Sequence, residues 1–440
     1  MDVGFLTGVC GFVALLALIA IRVPIAYTML IVGLAGASIL SGPAILLNQL
    51  KDLAYSQFSN YDLTVLPMFI LMGGLAYRCG LSYDLFRGAN AWIGRVRGGI
   101  AMAAIAACGG FGAVCGSSTA TASTMGQVAL PELKRYGYQP ALATGTLAAG
   151  GTLGILIPPS IVLIVYAIIV EANVVTLFAA ALVPGLLAVL FFIITVAIYV
   201  RLVPNSGPAG RPVSPRELLA ATLGVVPVLV VFGVVIGGIY AGIYNPTPAA
   251  AIGVFLVALY GYGRRRLSWR NTVEALLETA RTSGMIFLIL LGAELLKIFM
   301  ARAGVPQAVA EMLQDSGLPP MAIMALIIVI FLILGCLMDS LSMIILCTPF
   351  FWPVVSGLDY GMPEDDLKIW YGIITLIVVE LGLITPPVGL NVFIINSLSP
   401  DVPMRETFKG VMPFFCSEMV RISLLVAFPG ITLLLPRLLA

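Results

Sequence analysis

The sequence predicts an all-α integral membrane protein with two inverted repeats, each containing a re-entrant helical hairpin and a broken helix. Three features predict it: the composition, small polar clusters between long apolar runs, and the spacing of proline pairs. Of the 440 residues, 60% are hydrophobic and 10% are charged, whereas soluble domains carry about 25% charged residues. Apolar runs recur along the whole chain, so a lipid bilayer is the expected environment.

Several apolar runs are long enough to cross a bilayer, which takes a helix of about 20 residues. The first has no basic residue before it and Arg22 just after it. A signal peptide shows the reverse pattern, so a retained first helix is predicted. The predicted spans are 3–21, 24–47, 62–79, 140–170, 174–200, 218–239, 246–262, 281–301, 368–397 and 410–436.

Two segments, 98–133 and 317–356, are too long for one comfortable crossing and tight for two, so each is predicted to be a re-entrant hairpin. The first has the small polar cluster Gly116-Ser117-Ser118-Thr119-Ala120-Thr121 at its centre, and the second has Asp339-Ser340. Irregular backbone at membrane depth is tolerated only where it lines a cavity or is buried in protein. The centres are therefore candidate binding positions, although small residues are also typical of helix packing in membranes, as at Gly233 and Gly237.

Matching spacings in the two halves indicate an internal repeat. Ser117 lies fourteen residues before Pro131, and Asp339 lies fourteen before Pro353. An odd number of crossings separates the two repeats, so they are predicted to be inverted. The predicted organisation is an N-terminal helix at 1–23, a first repeat at 24–200, a linker helix at 201–245 and a second repeat at 246–440.

Each hairpin is followed by a proline pair within an apolar helix. Proline removes a backbone donor and clashes with the preceding turn, so both helices are predicted to break. The first broken helix is 140–170 and the second is 368–397. The residues at the breaks are Pro158, Pro159 and Ser160 in the first, and Gly382, Thr385, Pro386, Pro387 and Asn391 in the second. Discontinuous helices in inverted repeats are typical of secondary transporters.

The distribution of basic residues predicts the orientation. If both hairpins are re-entrant, most of the 23 Lys and Arg residues fall on one side, including the Arg264–Arg270 loop. The opposite side receives only Lys51, Arg302, Lys368 and Arg437. The positive-inside rule then places both termini and the Asp359–Asp366 loop outside.

Acidic residues at apolar depth are candidate functional groups, because a charge there costs several kcal/mol. Asp339 is predicted to be a cation-site residue or an organiser of the hairpin tip. Glu380, just before the second break, fits a binding role or a local backbone cap equally well. Glu294 and Lys297 are one helical turn apart and are predicted to pair.

Composition and motifs exclude several functions. The chain has no histidine and no Walker A, G-x-S-x-G or H-E-x-x-H motif, so a histidine-based enzyme and an ATP-driven pump are not expected. The seven cysteines form no C-x-x-C pair and are predicted to be small buried hydrophobes. No organic cofactor and no nucleic-acid partner are expected.

Five stretches together resemble the large membrane subunit of tripartite ATP-independent periplasmic (TRAP) transporters. They are Gly112–Thr121, Pro131–Tyr138 with Gly150–Ser160, and Met338-Asp339 with Gly382-Leu-Ile-Thr-Pro-Pro-Val-Gly-Leu-Asn391. The resemblance covers nearly the whole chain. It implies an elevator-type, sodium-coupled importer of organic acids in the bacterial inner membrane. It also implies two partners, a periplasmic substrate-binding protein and a small four-helix membrane subunit, expected here as a separate chain.

Carried onto this sequence, the resemblance assigns the hairpin tips and the broken helices to binding of a small anionic substrate and of sodium. The tip residues are Gly116, Ser117, Ser118, Thr119, Asp339 and Ser340, with Thr121 and Glu380 as further candidates. Sodium is expected near Ser117, Ser118, Asp339 and Thr385.

Three alternatives compete with this interpretation. A stand-alone sodium-coupled dicarboxylate-type or arsenite carrier of the same superfamily is the nearest. An intramembrane hydrolase using Ser117 or Ser118 would lack a general base, since no histidine exists and no lysine lies near the tip. A passive channel would conduct without sodium.

Overall fold

The structure, a computed structural model, describes residues 3–21, 23–315 and 317–439, and all the regular elements in these ranges are helical. The predicted all-α membrane fold is therefore confirmed. In the first half the helices are α1 (Val3–Ala20), α2 (Ile25–Ser41), α3 (Pro43–Phe58), a 3-10 turn (Tyr61–Thr64), α4 (Val65–Arg78), α5 (Leu81–Ile93), α6 (Gly99–Cys115), α7 (Ser118–Arg135), α8 (Pro140–Leu156), α9 (Ile161–Val170) and α10 (Val174–Leu202).

In the second half the helices are α11 (Pro215–Tyr240), α12 (Pro246–Gly263), α13 (Trp269–Arg302), α14 (Val305–Asp315), α15 (Pro320–Gly335), α16 (Ser340–Ser356), α17 (Glu364–Gly382), α18 (Leu390–Leu398), α19 (Met404–Ala427) and α20 (Pro429–Leu439). Within the described ranges, six helices are long and apolar enough to cross a membrane, or eight if each bent helix pair counts as one span.

The segments 98–133 and 317–356 each fold as two helices joined by a short turn. Helices α6 and α7 meet at Gly116 and Ser117, and α15 and α16 meet at residues 336–339. Each of the four helices has 16 to 18 residues, about 24–27 Å at helical rise, less than a bilayer core of about 30 Å. The inverted relation of the repeats and their re-entry into the membrane stay predictions.

Both proline pairs interrupt helices. Helices α8 and α9 are separated at Ile157–Ser160 and bend by 46°. Helices α17 and α18 are separated at Leu383–Gly389. The bonds Pro158–Pro159 and Pro386–Pro387 are both cis.

Two of the predicted spans are wrong at their ends. The span 24–47 stops at Ser41, because Gly42 has φ +82° and Pro43 starts the separate helix α3. The span 410–436 divides at Phe428, which precedes Pro429 and is thereby disfavoured in a helix.

Three smaller predictions have different outcomes. The Glu294–Lys297 pair is confirmed, with 3.6 Å between the charged groups. Gly233 and Gly237 pack against no part of the described chain, where an added Cβ at either position would meet nothing within 4 Å, so a packing face there stays a prediction. Among the cysteines, Cys10 and Cys416 are exposed, and the other five are buried. Arg22 lies outside the described residues.

Candidate functional site

The first hairpin tip is a tight turn with an internally bonded helix start. Gly116 ends α6 with φ +64°, a conformation that glycine adopts without steric cost. Ser117 caps α7 by accepting a 3.4 Å hydrogen bond from the Ala120 amide, and its hydroxyl lies 3.3 Å from that of Thr119. Ser118 and Thr121 are buried. The tip therefore presents hydroxyls on two sides, Ser117 and Thr119 outward and the other two inward.

The second tip is capped by a carboxylate. The Asp339 side chain accepts a 3.1 Å hydrogen bond from the Ser342 amide at the start of α16. This contact makes Asp339 an N-cap, which agrees with the tip-organising role considered for it. Its neighbour Ser340 is buried and points the other way, toward α17.

Glu380 lies where the two tips converge. The Ser340 hydroxyl donates a 2.5 Å hydrogen bond to Glu380 Oε1, and the Ser118 side chain interacts with the same carboxyl group. Glu380 is 1% exposed. The cap of local backbone donors considered for this residue is therefore not the arrangement found, because the hydroxyls of the two tips contact it instead.

Glycine pairs let each hairpin approach its broken helix closely. An ideal Cβ on Gly112 would lie 2.7 Å from Gly154 Cα, and one on Gly382 would lie 2.6 Å from Gly335 Cα. Real Cβ atoms are not found that close to backbone. Gly116 likewise approaches the Pro159 carbonyl, at 2.7 Å from an added Cβ. Each tip thus rests on the break of the helix that follows it.

Helix α8 also carries the contact to the second broken helix. The Asn391 amide of α18 donates to the Ala148 carbonyl at 3.4 Å and lies against Gly151. Gly151 and Gly154 are three residues apart and share a helix face, and Gly154 lies against the first tip at the Ser117 carbonyl. The first tip and the second break therefore share one wall.

Several oxygens of the first hairpin and of the second broken helix are buried without a hydrogen-bond partner in the described chain. They include Thr121 Oγ1, Glu380 Oε2 and Asn391 Oδ1. Thr385 differs, since its hydroxyl donates a 2.6 Å hydrogen bond from the break to the Leu381 carbonyl near the end of α17. Unsatisfied buried oxygens are uncommon in folded proteins and often mark an absent water or ion.

Two cavities flank the buried centre. The first-tip cavity, of about 420 Å³, is lined by Ser117 and Thr119 together with residues of α4 and α13. The second-tip cavity, of about 330 Å³, is lined by Asp339, Pro24 and Val388 among others. The predicted sodium residues Ser117 and Asp339 thus lie in different cavities, whereas Ser118, Glu380 and Ser340 are buried and line neither of them.

The two breaks differ in exposure. Pro158, Pro159 and Ser160 are all buried, and Ser160 caps α9 through the Leu163 amide at 3.3 Å. In the second break Thr385 is half-buried, and Pro386 and Pro387 are exposed. The resemblance of the two halves in sequence therefore does not extend to their exposure.

Sequence reasoning missed two charged groupings. Arg78, at the end of α4, pairs with Glu278 of α13 at 3.0 Å on the wall of the first-tip cavity. Arg421 is fully buried, pairs with Glu418 and donates 3.0 Å to the Pro184 carbonyl. The one-turn spacing of Glu418 and Arg421 could have predicted their pairing, as it did for Glu294 and Lys297.

The fold and the site define a multi-pass membrane permease with two helical hairpins and two broken helices. The family model of the tripartite ATP-independent periplasmic transporter, DctM component, matches residues 12–431. The chain belongs to this family of TRAP transporter large permease subunits.

The chain aligns with curated relatives over most of their length. The chain is 35% identical over 395 residues to the C4-dicarboxylate TRAP transporter large permease protein DctM of Pseudomonas aeruginosa, covering 88% of this chain and 90% of that protein. It is 27% identical to the sialic acid TRAP transporter large permease protein SiaM of Vibrio cholerae, covering 96% and 97%. These relatives are transport proteins.

Solved structures share the fold at low sequence identity. The YdaH transporter of Alcanivorax borkumensis superposes with a TM-score of 0.60 at 13% identity, covering 88% of this chain and 89% of that one. MtrF of Neisseria gonorrhoeae gives a TM-score of 0.58 at 16% identity, covering 87% and 84%. The all-helical transporter fold is therefore shared with these proteins.

Proposed function

We propose that this chain is the translocating subunit of a sodium-coupled, binding-protein-dependent importer of organic acids. One observation supports this most: the two hairpin tips meet at the buried Glu380 carboxyl group, and a separate cavity lies on each tip. A closed polar centre between two cavities suits a carrier that opens to one side at a time. A hairpin-bearing domain moving as an elevator would expose the centre alternately.

Sodium coupling is supported by the donor set at the centre. Sodium is a hard cation that takes oxygen ligands, as calcium and magnesium do. Thr121 Oγ1, Glu380 Oε2 and Asn391 Oδ1 are buried oxygens with unused acceptor capacity. Asp339 would hold the second tip in shape and add a negative charge on the other side.

An organic-acid substrate is supported by the first-tip cavity. Its volume of about 420 Å³ falls in the range of about 300–1,000 Å³ found for small-molecule sites. The hydroxyls of Ser117 and Thr119 are donors suited to a carboxylate. Relatives are named for C4-dicarboxylate and sialic acid, both of which are carboxylates.

The proposed location is the bacterial inner membrane, with both termini and the loop before α17 in the periplasm. The bias of basic residues supports this orientation. Glu364, Asp365 and Asp366, earlier assigned to that loop, form the first turn of α17. In a background with the exposed Cys10 and Cys416 replaced, a cysteine at Asp365 should react with an impermeant reagent in intact cells. A cysteine at Arg264 should react only after permeabilisation, and the opposite result would refute the orientation.

The partners are proposed from the tripartite description of the family: a small four-helix membrane subunit as a separate chain, and a periplasmic binding protein. Omission of single components tests this. Uptake of labelled succinate and N-acetylneuraminate into proteoliposomes should need all three polypeptides. Concentrative uptake by this chain alone would favour the stand-alone carrier instead.

A further inference from the structure

The first-tip cavity contains an arginine that the translocation site described so far does not use. Arg78 ends α4, Glu278 lies on α13, and both side chains line the cavity together with Ser117 and Thr119 of the first tip. The guanidinium Nη2 donates to Glu278 Oε2 at 3.0 Å, and Nη1 donates to the Gly74 carbonyl at 3.4 Å. A ligand that occupies the cavity beside the first tip would therefore face the Arg78 guanidinium.

The two members of this ion pair are held differently. The Arg78 side chain is 16% exposed, whereas that of Glu278 is 63% exposed. Arg78 is fixed against the wall by its bond to the preceding helical turn. Glu278 projects into solvent, where an ion pair is weak, so it can leave at little cost.

The guanidinium has capacity for a second carboxylate. It carries five N–H donors, and only two are used in the contacts found for Arg78. A planar guanidinium binds a carboxylate through two parallel hydrogen bonds, a geometry that a single bond to Glu278 does not use. A substrate carboxylate can therefore replace Glu278 at Arg78 and gain contacts in doing so.

We propose that Arg78 is the carboxylate receptor of the first-tip cavity and that Glu278 is an internal competitor that displaces the substrate carboxylate from it. The assignment rests on the proposed import of organic acids and adds residues outside the hairpins to it. The substrate carboxylate moves from the tip to Arg78. Glu278 then displaces it and pairs with Arg78 again. The exchange keeps the arginine paired throughout, so release never leaves an unpaired charge on the wall.

The chain offers a matched control for this exchange. Glu274 lies one turn before Glu278 on α13 and pairs with Arg270 at 3.0 Å. The Arg270 side chain is 87% exposed and that of Glu274 is 47% exposed. Neither residue lines the first-tip cavity. Glu274→Gln removes the same charge from the same helix without touching the proposed receptor.

The experiment measures thermal protection of the permease, purified with its small membrane subunit, by succinate and by N-acetylneuraminate. Succinamide serves as the uncharged analogue. Glu278→Gln should lower the half-protecting concentration of acid roughly two- to fivefold, the strength of an exposed pair. Arg78→Gln should raise it about tenfold or more, and Arg78→Lys, which keeps the charge without the planar fork, should fall between. Glu274→Gln should leave it unchanged, and succinamide should not protect.

Three results would overturn the proposal: equal protection of Arg78→Gln and the unmodified protein, no shift in Glu278→Gln, or no protection by either acid. Uptake by the same preparations in the three-component system separates this failure from failure of the proposed function. Sodium-driven uptake that is indifferent to Arg78 and Glu278 refutes only the receptor. Absence of carboxylate uptake by the unmodified system refutes the proposed function as well.

Discussion

Ser340 Oγ donates a 2.5 Å hydrogen bond to Glu380 Oε1, joining the first residue of α16 to the end of α17. The Ser118 side chain of the first hairpin reaches the same carboxyl group. One buried acid thus connects both tips with the second broken helix. Substitutions at Ser340, Glu380 and Ser118 should therefore be energetically coupled.

A double-mutant cycle measures the Ser340–Glu380 contact. Ser340→Ala and Glu380→Gln should be coupled by about 1–2 kcal/mol in the free energy of unfolding, within the range for contacting residues. The physical reason is that either single change leaves the other buried group with a lost or altered partner. The measurement is denaturant unfolding of the purified protein in detergent.

Ser356 provides the control for this cycle. Its hydroxyl is exposed and bonds only to the Pro353 carbonyl in its own helix, at 3.3 Å. Ser356→Ala combined with Glu380→Gln should be additive within about 0.5 kcal/mol. Additivity of the Ser340 cycle as well would show that the contact carries no measurable energy.

Substitutions at Asp339 separate capping from charge. Asparagine caps helices about as well as aspartate, whereas loss of an N-cap costs about 1 kcal/mol. Asp339→Asn should keep the stability but weaken the sodium dependence of uptake. Asp339→Ala should lose both, because it removes the bond to the Ser342 amide as well as the charge.

Removal of another N-cap controls for stability alone. Ser268 caps α13 by accepting from the Asn271 amide at 3.2 Å, away from both tips. Ser268→Ala should destabilise the protein by about 1 kcal/mol and leave the sodium dependence intact. If Asp339→Asn transports with unchanged sodium dependence, Asp339 is a structural cap and not a cation-site residue.

The close approach of the first tip to α8 predicts a steric effect on transport. An added methyl at Gly154 would lie 2.5 Å from the Ser117 carbonyl, so Gly154→Ala must push the tip away from the break. We expect a loss of about 1–3 kcal/mol and a strong reduction of uptake. Gly237→Ala is the matched control, since an added methyl there meets nothing within 4 Å.

Gly237→Ala should be neutral or stabilising by up to about 1 kcal/mol, because alanine restricts the unfolded chain more than glycine. Uptake rates and melting temperatures of the two variants check both expectations. Normal uptake by Gly154→Ala would mean that the tip does not depend on this contact.

The elements that could be predicted from sequence are those set by local chemistry. Gly116 ends α6 and Ser117 starts α7, as a small flexible residue followed by a capping hydroxyl indicates. Pro158 and Pro386 break their helices because proline cannot continue a helical ladder. Such effects act within a few residues, so they can be predicted from a single sequence.

The contacts of the site depend on the tertiary arrangement and could not be predicted from the sequence. Glu380 and Ser340 are 40 residues apart, and Arg78 and Glu278 are 200 apart. No spacing rule links such positions. The close approach of Gly335 to Gly382 was likewise not foreseen, since a glycine in an apolar helix looks the same whether or not another backbone lies against it.

Sodium-driven uptake tests the central claim most directly. Proteoliposomes holding the permease and its small membrane subunit, with the binding protein outside, are given labelled succinate or N-acetylneuraminate under an inward sodium gradient or an inward proton gradient of equal size. The account predicts accumulation above the outside concentration with sodium alone, and its loss when an ionophore collapses that gradient. Accumulation driven by protons in sodium-free medium would contradict it.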